Sequence, residues 1–276
     1  MASNVSIRKV FMQGPYVPDH NSNRMKSEGS VSDARRSFLK TRFQNLDRLL
    51  IFRYGWMNEF LKPDSIIIEI GAGAGFSQLY LNQKVILTDA INNPWIEKVI
   101  DATKMDLADK SVDVIIASHN IHHFYSPHKF FDECKRVLKD DGLILIQEIN
   151  TSLMMRFLLK LMRHEGWSYN VDVFDPDEVV NDKHDLWSAN CAVPEMLFFD
   201  ESRFEQVFAS FKVTKNELCE CLLLPLSGGV IAKTKVPRLP ISFLNFVSIV
   251  DRVLITFLPS IFALGRRVVL KKIDVI

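Results

Sequence analysis

The segment Glu69-Ile70-Gly71-Ala72-Gly73-Ala74-Gly75 follows an apolar run that begins at Ile66, and no other stretch limits the possible folds as strongly. Three glycines at alternate positions after a strand make a turn whose backbone can approach a ligand where any Cβ would clash. Such a turn also occurs without a ligand, so taken alone it leaves both readings open. Its spacing is not the GxGxxG of a dinucleotide site, because Phe76 stands at the third fingerprint position and Gly75 comes one residue early. A nicotinamide cofactor is therefore disfavoured. The next apolar run closes on Asp89, eighteen residues after Gly71, where a carboxylate can accept hydrogen bonds from both hydroxyls of a ribose.

From Ile66 onward, short apolar runs alternate with helical stretches and turns, the pattern of a parallel sheet with crossover helices. The runs place strands at Ile66–Ile70, Val85–Thr88, Val99–Ile100, Val112–Ala117 and Leu143–Glu148, all expected to be buried on both faces. Ser126-Pro127 predicts a helix start, and the helix should run to Leu138, where Lys139-Asp140-Asp141-Gly142 stops it. Upstream, residues 14 to 32 form an irregular lead-in. One amphipathic helix, capped by Ser32 or Asp33, should follow through Phe38, Phe43, Leu46, Leu49, Leu50 and Phe52. Residues 1–63 thus read as a lead-in and a helix that packs on a single domain spanning 64–276, a chain of 276 residues being within the reach of one core.

Three further blocks resemble the class I S-adenosylmethionine (SAM) dependent methyltransferases, together with the E-x-G-x-G-x-G turn. Asp101-Ala102-Thr103-Lys104-Met105-Asp106-Leu107-Ala108-Asp109-Lys110-Ser111-Val112-Asp113 is similar to that family's D-A-x-x-L-P-F-x-D-x-S-F-D. His122-His123-Phe124 follows the fourth strand as L-H-H does in the family, with Ile121 in place of Leu. Glu133-x-x-Arg136-Val137-Leu138-Lys139-x-x-Gly142 matches E-x-x-R-V-L-K-x-x-G. The likeness covers about residues 64 to 150, and Met105-Asp106-Leu107 departs from the family's L-P-F.

The resemblance implies an α/β, Rossmann-like seven-stranded sheet, mostly parallel with its last strand antiparallel, helices on both faces and two insertions. It implies SAM as cofactor. Glu69 and the backbone of Gly71, Ala72, Gly73 and Gly75 would hold the methionine end. Asp89, with Ala90 beside it, would take the ribose, Asp101 and Ala102 the adenine, and Ser118 and His119 the sulfonium side. A sulfonium methyl is already activated, so alignment and exclusion of water suffice and no metal is expected. A hydroxyl acceptor needs a base, and His122, His123 and Glu148 stand near the site; the two histidines read first as groups that pack beside the cofactor and second as bases, and Glu148 is equally well satisfied by a helix start at Asn150 or Thr151.

Two insertions carry what the motifs do not. In residues 151–198, an apolar helix leads into a polar stretch where Asp175, Asp177, His184, Asp185 and Trp187 could grip a sugar or could form a solvated loop. In residues 225–265, Phe243, Phe246, Val247, Val250, Val253, Leu254, Phe257 and Leu258 make one stripe, flanked by Lys233, Lys235, Arg238, Arg266 and Arg267. That helix, within 241–264, either lies on a membrane surface or packs on the domain or a second subunit; Asp251-Arg252 and Pro259 argue against a spanning helix. The strands around it are expected at Phe211–Leu224 and Arg266–Lys272, as a hairpin.

A net charge of +1 offers no basic footprint for nucleic acid. Cys134, Cys191, Cys219 and Cys221 show no zinc spacing and read as core thiols, with Cys219 and Cys221 on one face of a strand. Met1-Ala2-Ser3-Asn4 lacks a secretory start, so a cytoplasmic setting is expected, with the protein peripheral at the inner membrane face if the stripe meets lipid. A looser likeness to methyltransferases of bacterial surface polysaccharide or glycolipid synthesis suggests O-methylation of a sugar or of a lipid-linked saccharide. The alternatives are a quinone, lipid or small-metabolite methyltransferase, and a catalytically silent subunit that binds a partner.

Overall fold

The computed structural model describes residues 14–17, 30–163, 165–231 and 234–274. Met1–Asn4, residues 18–29 of the lead-in and Lys233 lie outside them. Seven strands form one sheet: β1 (Ile67–Ile70), β2 (Ile86–Asp89), β3 (Lys98–Val99), β4 (Val112–Ser118), β5 (Leu138–Ile149), β6 (Phe211–Cys219) and β7 (Gly265–Lys272). Their order is β3-β2-β1-β4-β5-β7-β6. The β1, β2, β3, β4 and β5 neighbours pair in parallel, and β7 runs antiparallel to both β5 and β6.

Alternation of apolar side chains fills both faces of the central strands. Ile68, Ile70, Ile115, Ala117, Ile144 and Ile146 enter one core with helix α3 (Pro127–Val137), while Ile67, Val114, Ile116, Leu145 and Val269 enter the other with helices α1 (Val31–Thr41) and α2 (Gln44–Tyr54). The two-residue strand β3 is the exception, lying at the sheet edge with its side chains partly exposed rather than buried. The order in which successive strands are added to the sheet reverses between β1 and β4, which run parallel, so the crevice at their carboxyl ends is the place where such sheets bind ligands.

Several expected boundaries move, each for a local reason. The single N-terminal helix is two: α1 starts from a Ser30 cap, not Ser32 or Asp33, and ends at Arg42 in the left-handed region. The break lets Asn45 donate to the carbonyls of Leu226 and Pro237, 2.8 and 3.0 Å away, and turns Leu50, Arg53 and Tyr54 toward the crevice. Strand β5 begins at Leu138, five residues early, because Leu138 pairs with Val112, the chain bulges over Lys139–Gly142, and Leu143 resumes pairing with Val114. The glycine turn leads into a short 3-10 turn (Ser77–Leu79) rather than an α-helix. Strand β6 stops at Cys219, Glu220 is left-handed, and Cys221 lies beyond the strand; all four cysteines are buried free thiols.

The first insertion, after helix α4 (Leu153–Met162), builds a small core of its own from Met155, Leu159, Trp167, Cys191 and Ala192 against Ile149 and Leu264. Helices α5 (Val193–Phe198) and α6 (Glu201–Val207) return the chain to the sheet. The second insertion holds α7 (Leu223–Leu226), α8 (Ile241–Phe257) and α9 (Pro259–Phe262) between β6 and β7. Helix α8 buries Leu244, Val247 and Asp251. Asp251 accepts backbone N–H bonds from Cys221, Leu222 and Leu223 at 3.3, 2.8 and 3.1 Å, which caps α7. Arg266 is buried, bonded to Asn216 and Asn150, and Arg267 stacks on Phe52, so neither forms a basic surface flank to α8. Among the described residues no helix is long and apolar enough to cross a membrane.

Candidate active site

One cavity of about 620 Å³ opens at the carboxyl ends of β1, β2 and β4 and continues beneath the first insertion. Gly71, Ala72, Gly73, Asp89, Ala90, Asp101, Ala102, Ser118, His119, His122 and His123 all line it, so eleven residues scattered over 53 positions of sequence meet at one surface. Their convergence follows from the strand order, which ends β1, β2 and β4 side by side.

At the cofactor side, Gly71 and Gly73 have φ of 61° and 51°, a region that costs other residues roughly 1–2 kcal/mol. A Cβ on Gly71 would lie 2.9 Å from Asn120 Nδ2, while at Gly73 nothing lies within 4 Å. The Gly73 N–H donates to Asp89 Oδ2 at 2.8 Å and the Ile91 N–H to Oδ1 at 2.8 Å. Both Asp89 oxygens are thereby aimed, with lone pairs remaining for hydroxyl donors. Asn120 donates to the Ile70 carbonyl, and its buried Oδ1, at the cavity wall, has no partner. An open glycine cradle, an aimed carboxylate and an unpartnered amide oxygen fit a nucleoside that carries an amino-acid tail. Trp95 Nε1 donates to the Gly73 carbonyl at 2.8 Å, and Arg35 holds the carbonyls of Ala74 and Gly75. No motif marked Arg35, Asn120 or Trp95, since single residues distant in sequence give no periodic signal.

Three expected contacts sit behind the cavity wall instead of on it. Gly75 is needed for packing, because a Cβ there would meet Leu87 at 2.7 Å and Trp95 at 2.9 Å. The Glu69 carboxyl is fully buried, takes hydrogen bonds from Ser77 and, at 3.4 Å, from Tyr54, and is pushed up to about 8 by burial, against the effect of those bonds. Bonded to Ser77 and Tyr54 behind the turn, this carboxyl braces the cradle. Glu148 also lies behind the wall, accepting N–H bonds from Asn120, Ile121 and Ile149 at 2.7, 2.6 and 3.0 Å and pairing with His122 Nδ1 at 2.7 Å. It neither reaches the cavity nor serves the helix start at Ser152, so it positions the histidine turn rather than acting as a base.

The 3-10 turn Ile121–His123 presents the two imidazoles with ring centroids 4.3 Å apart. Burial alone would lower His122, but the Glu148 and Glu165 carboxylates raise it to about 10. His123 falls to about 4, through burial and then the charge of His122. His119, left-handed at φ 54°, is lowered well below the usual range by burial, and its buried Nε2 has no partner. Glu165, from the first insertion, lies against both His122 and His123. No motif signals this residue, because the insertion that carries it matches none of them.

The acceptor side is mostly apolar: Met155, Leu158, Leu159, Leu224, Pro225 and Ile231 line it. Of the five polar residues expected to grip a sugar, Asp185 and Trp187 line the cavity, whereas Asp175, Asp177 and His184 are exposed elsewhere. Asp175 and Asp185 spend a carboxylate oxygen on the N–H two residues ahead, at 2.9 and 3.0 Å, as turn formers. Glu133 and Arg136, from the third motif, also serve structure: Arg136 holds the carbonyls of Met105 and Leu107 at 2.7 Å each and so pins the adenine-side loop.

Residues 68–146 match a family model described as a methyltransferase domain. This stretch is a methyltransferase domain. The YafS protein of Escherichia coli (strain K12), which is uncharacterised, is 36% identical over 76 residues, 27% of this chain and 31% of its own. The chain therefore spans under a third of the length of that curated relative. Solved structures similar to this chain include a SAM dependent methyltransferase from Archaeoglobus fulgidus, 19% identical over 86% of this chain and 98% of its own, with a TM-score of 0.48. A SAM-dependent methyltransferase from Thermotoga maritima, a possible histamine N-methyltransferase, is 15% identical over 88% and 96%, also with 0.48. The 1,6-didemethyltoxoflavin-N1-methyltransferase of Burkholderia thailandensis, with S-adenosylhomocysteine and its substrate bound, is 12% identical over 88% and 87%, with 0.45.

Two outcomes are expected from the cradle. Asp89→Ala should weaken SAM binding by roughly tenfold or more in calorimetry, since it removes charged acceptors of two hydrogen bonds; unchanged affinity would remove the residue from the site. Glu69 bears on stability. Its folded value, about 8, lies above the ordinary 4.5, so the unfolded chain loses this proton first and wild-type stability declines as pH rises from about 4.5 to 8. Glu69→Gln should cancel that decline. Urea unfolding of the ligand-free protein should show the variant gaining on wild type by on the order of 3–5 kcal/mol between pH 5 and pH 8.

Proposed function

We propose that the protein methylates a hydroxyl oxygen of a small acceptor that joins a polar head to an apolar body, as a glycolipid does. The observation that carries this reading is the continuity of the cavity: the nucleoside cradle, the His122/His123/Glu165 cluster and the apolar wall follow one another within one space. When bound, SAM supplies a methyl on a sulfonium that needs no further activation. The chain's part is placement. Gly71, Gly73 and Asp89 orient the cofactor, and Asn120 Oδ1 offers an acceptor to a donor in its amino-acid tail. Met155, Leu158 and Leu224 exclude water, which sharpens alignment of the reacting atoms. His122, His123 and Glu165 face the acceptor side of the same space, where a hydroxyl would be held. A bare sugar would find few polar partners on such a wall, which favours a lipid-linked saccharide or another lipid-like acceptor over a free one. Incubation of the full chain with SAM labelled in its methyl group and a total lipid extract should put label on oxygen of an extractable amphiphile, read by mass spectrometry; label confined to water-soluble metabolites would refute the apolar-body reading.

The same reading places the protein on a membrane surface. Helix α8 turns Phe246, Ile249 and Phe257 outward, 57%, 60% and 76% exposed, in one stripe with Phe243 and Val253. Asp251 is the sole acidic residue of 234–264 and is buried, whereas Lys235, Arg238 and Arg252 are exposed. Helix α4 repeats the pattern with Phe157 exposed and Lys160 beside it, and its Leu161, 68% exposed, forms part of the cavity rim. The two helices are linked by α9, which packs on both. Apolar stripes bordered only by positive charge suit an anionic bilayer. In flotation, the full chain should rise with vesicles containing phosphatidylglycerol, and the double variant Phe246→Ser/Phe257→Ser should stay at the bottom; equal flotation of both refutes membrane contact through α8.

A further inference from the structure

Consecutive residues on a turn normally point apart, yet His122 and His123 send Nε2 atoms to one place. Each ring is fixed through its other nitrogen: His122 Nδ1 pairs with Glu148 Oε2 at 2.7 Å, and His123 Nδ1 donates to the Ser188 carbonyl at 3.1 Å. The turn itself is clamped, with Asn181 Nδ2 donating to the carbonyls of His122 and Phe124 and the Asn190 N–H donating to that of His122. Into the space before both Nε2 atoms comes Glu165, one oxygen 3.7 Å from His122 Nε2 and the other 3.7 Å from His123 Nε2. Its carboxylate also accepts from the Cys191 thiol at 3.4 Å.

These separations decide what the cluster is for. At 3.7 Å the carboxylate is beyond good hydrogen-bond distance from either ring, yet both nitrogens and the carboxylate offer ligand atoms within 4.8 Å of one another. Two ligands about 2.1 Å from a tetrahedral ion are about 3.4 Å apart, so small side-chain rotations close the set. Two imidazoles and one carboxylate, with the far ring nitrogens held by a carboxylate and a backbone carbonyl, form the donor set and the outer support of a transition-metal site with open positions.

We propose that His122 Nε2, His123 Nε2 and Glu165 bind one divalent first-row transition-metal ion, zinc or a neighbour, whose open positions face the cavity and take an oxygen of the acceptor. A hydroxyl bound to the ion becomes more acidic and is fixed in position between the cofactor cradle and the apolar wall. The role of the bound oxygen rests on the hydroxyl-methylation reading; the ion site itself does not.

The test uses the tag-free full chain, stripped with a chelator and titrated with Co²⁺ as a visible probe. One Co²⁺ per chain is expected, with d–d absorption bands of nitrogen and oxygen ligation that Zn²⁺ abolishes by displacement. His123→Ala and Glu165→Ala should each weaken Co²⁺ binding about tenfold or more, while far-ultraviolet circular dichroism and cooperative urea unfolding establish that the variants are folded. Absence of stoichiometric Co²⁺ binding in the wild type, or binding unaffected by both substitutions, overturns the site. Since the readout needs neither SAM nor acceptor, a chain that transfers labelled methyl but binds no ion overturns this inference alone, and one that binds the ion but methylates no hydroxyl overturns only the other.

Discussion

Burial of the central strands on both faces is the constraint from which the rest follows. A parallel sheet covered on each side by helices has backbone and polar side chains to spare only at strand ends, and the reversal between β1 and β4 splays those ends into a crevice. Every polar group that the cavity uses on the cofactor side is placed there by a strand that ends: Gly71 after β1, Asp89 at the end of β2, and Ser118 and His119 at the end of β4. The helices contribute by covering, and in doing so bring Arg35, Arg53 and Tyr54 to positions that sequence distance does not suggest.

Buried carboxylates hold this arrangement together, each with a different set of partners. Glu148 is kept below the ordinary range, since His122 and backbone N–H groups outweigh its burial; it ties β5 to the turn after β4. Glu69, with only a hydroxyl from Ser77 and one from Tyr54, is shifted upward and braces the glycine turn. Glu220 lies against Arg53 through two bonds of 2.9 and 2.7 Å, fully buried, and anchors α2 to the end of β6. Removing one partner of such a pair leaves the other charge stranded, which is why pairs of this kind are strongly coupled to the fold.

The cofactor half was legible in the sequence because its signals are local. A glycine turn, an acid at a strand end and an apolar alternation each occupy a few consecutive residues, and the order of the motifs along the chain is the order of the strands. What was misread followed from the same locality. Of the two uses left open for Asp175, sugar contact or solvated loop, the structure shows the second: its carboxylate closes its own turn on the Asp177 N–H, and pattern alone does not distinguish the two. Glu69 sits in a motif beside ligand-binding glycines, yet strand alternation turns its side chain away from the cavity. In α8 the stripe was visible, but Val247, counted in it, belongs with Leu244 to the face that the domain covers.

By itself, then, the sequence determined where the strands of the parallel part of the sheet lie and where the glycine turn follows them, because hydrophobic periodicity and glycine stereochemistry act over short spans of chain; the strand order came with the tertiary structure. Only the tertiary structure decided what stands opposite that cradle. The meeting of Glu165 with His122 and His123, 42 residues apart in the sequence for the nearer of the two, depends on Asn181 and Asn190 clamping the turn and on a small core packing the first insertion over the strand ends. The outward face of α8 likewise depends on which side Asp251 turns in to cap α7. Contacts of that kind arise from the free energy of packing elements distant along the chain, and no short stretch of residues encodes them.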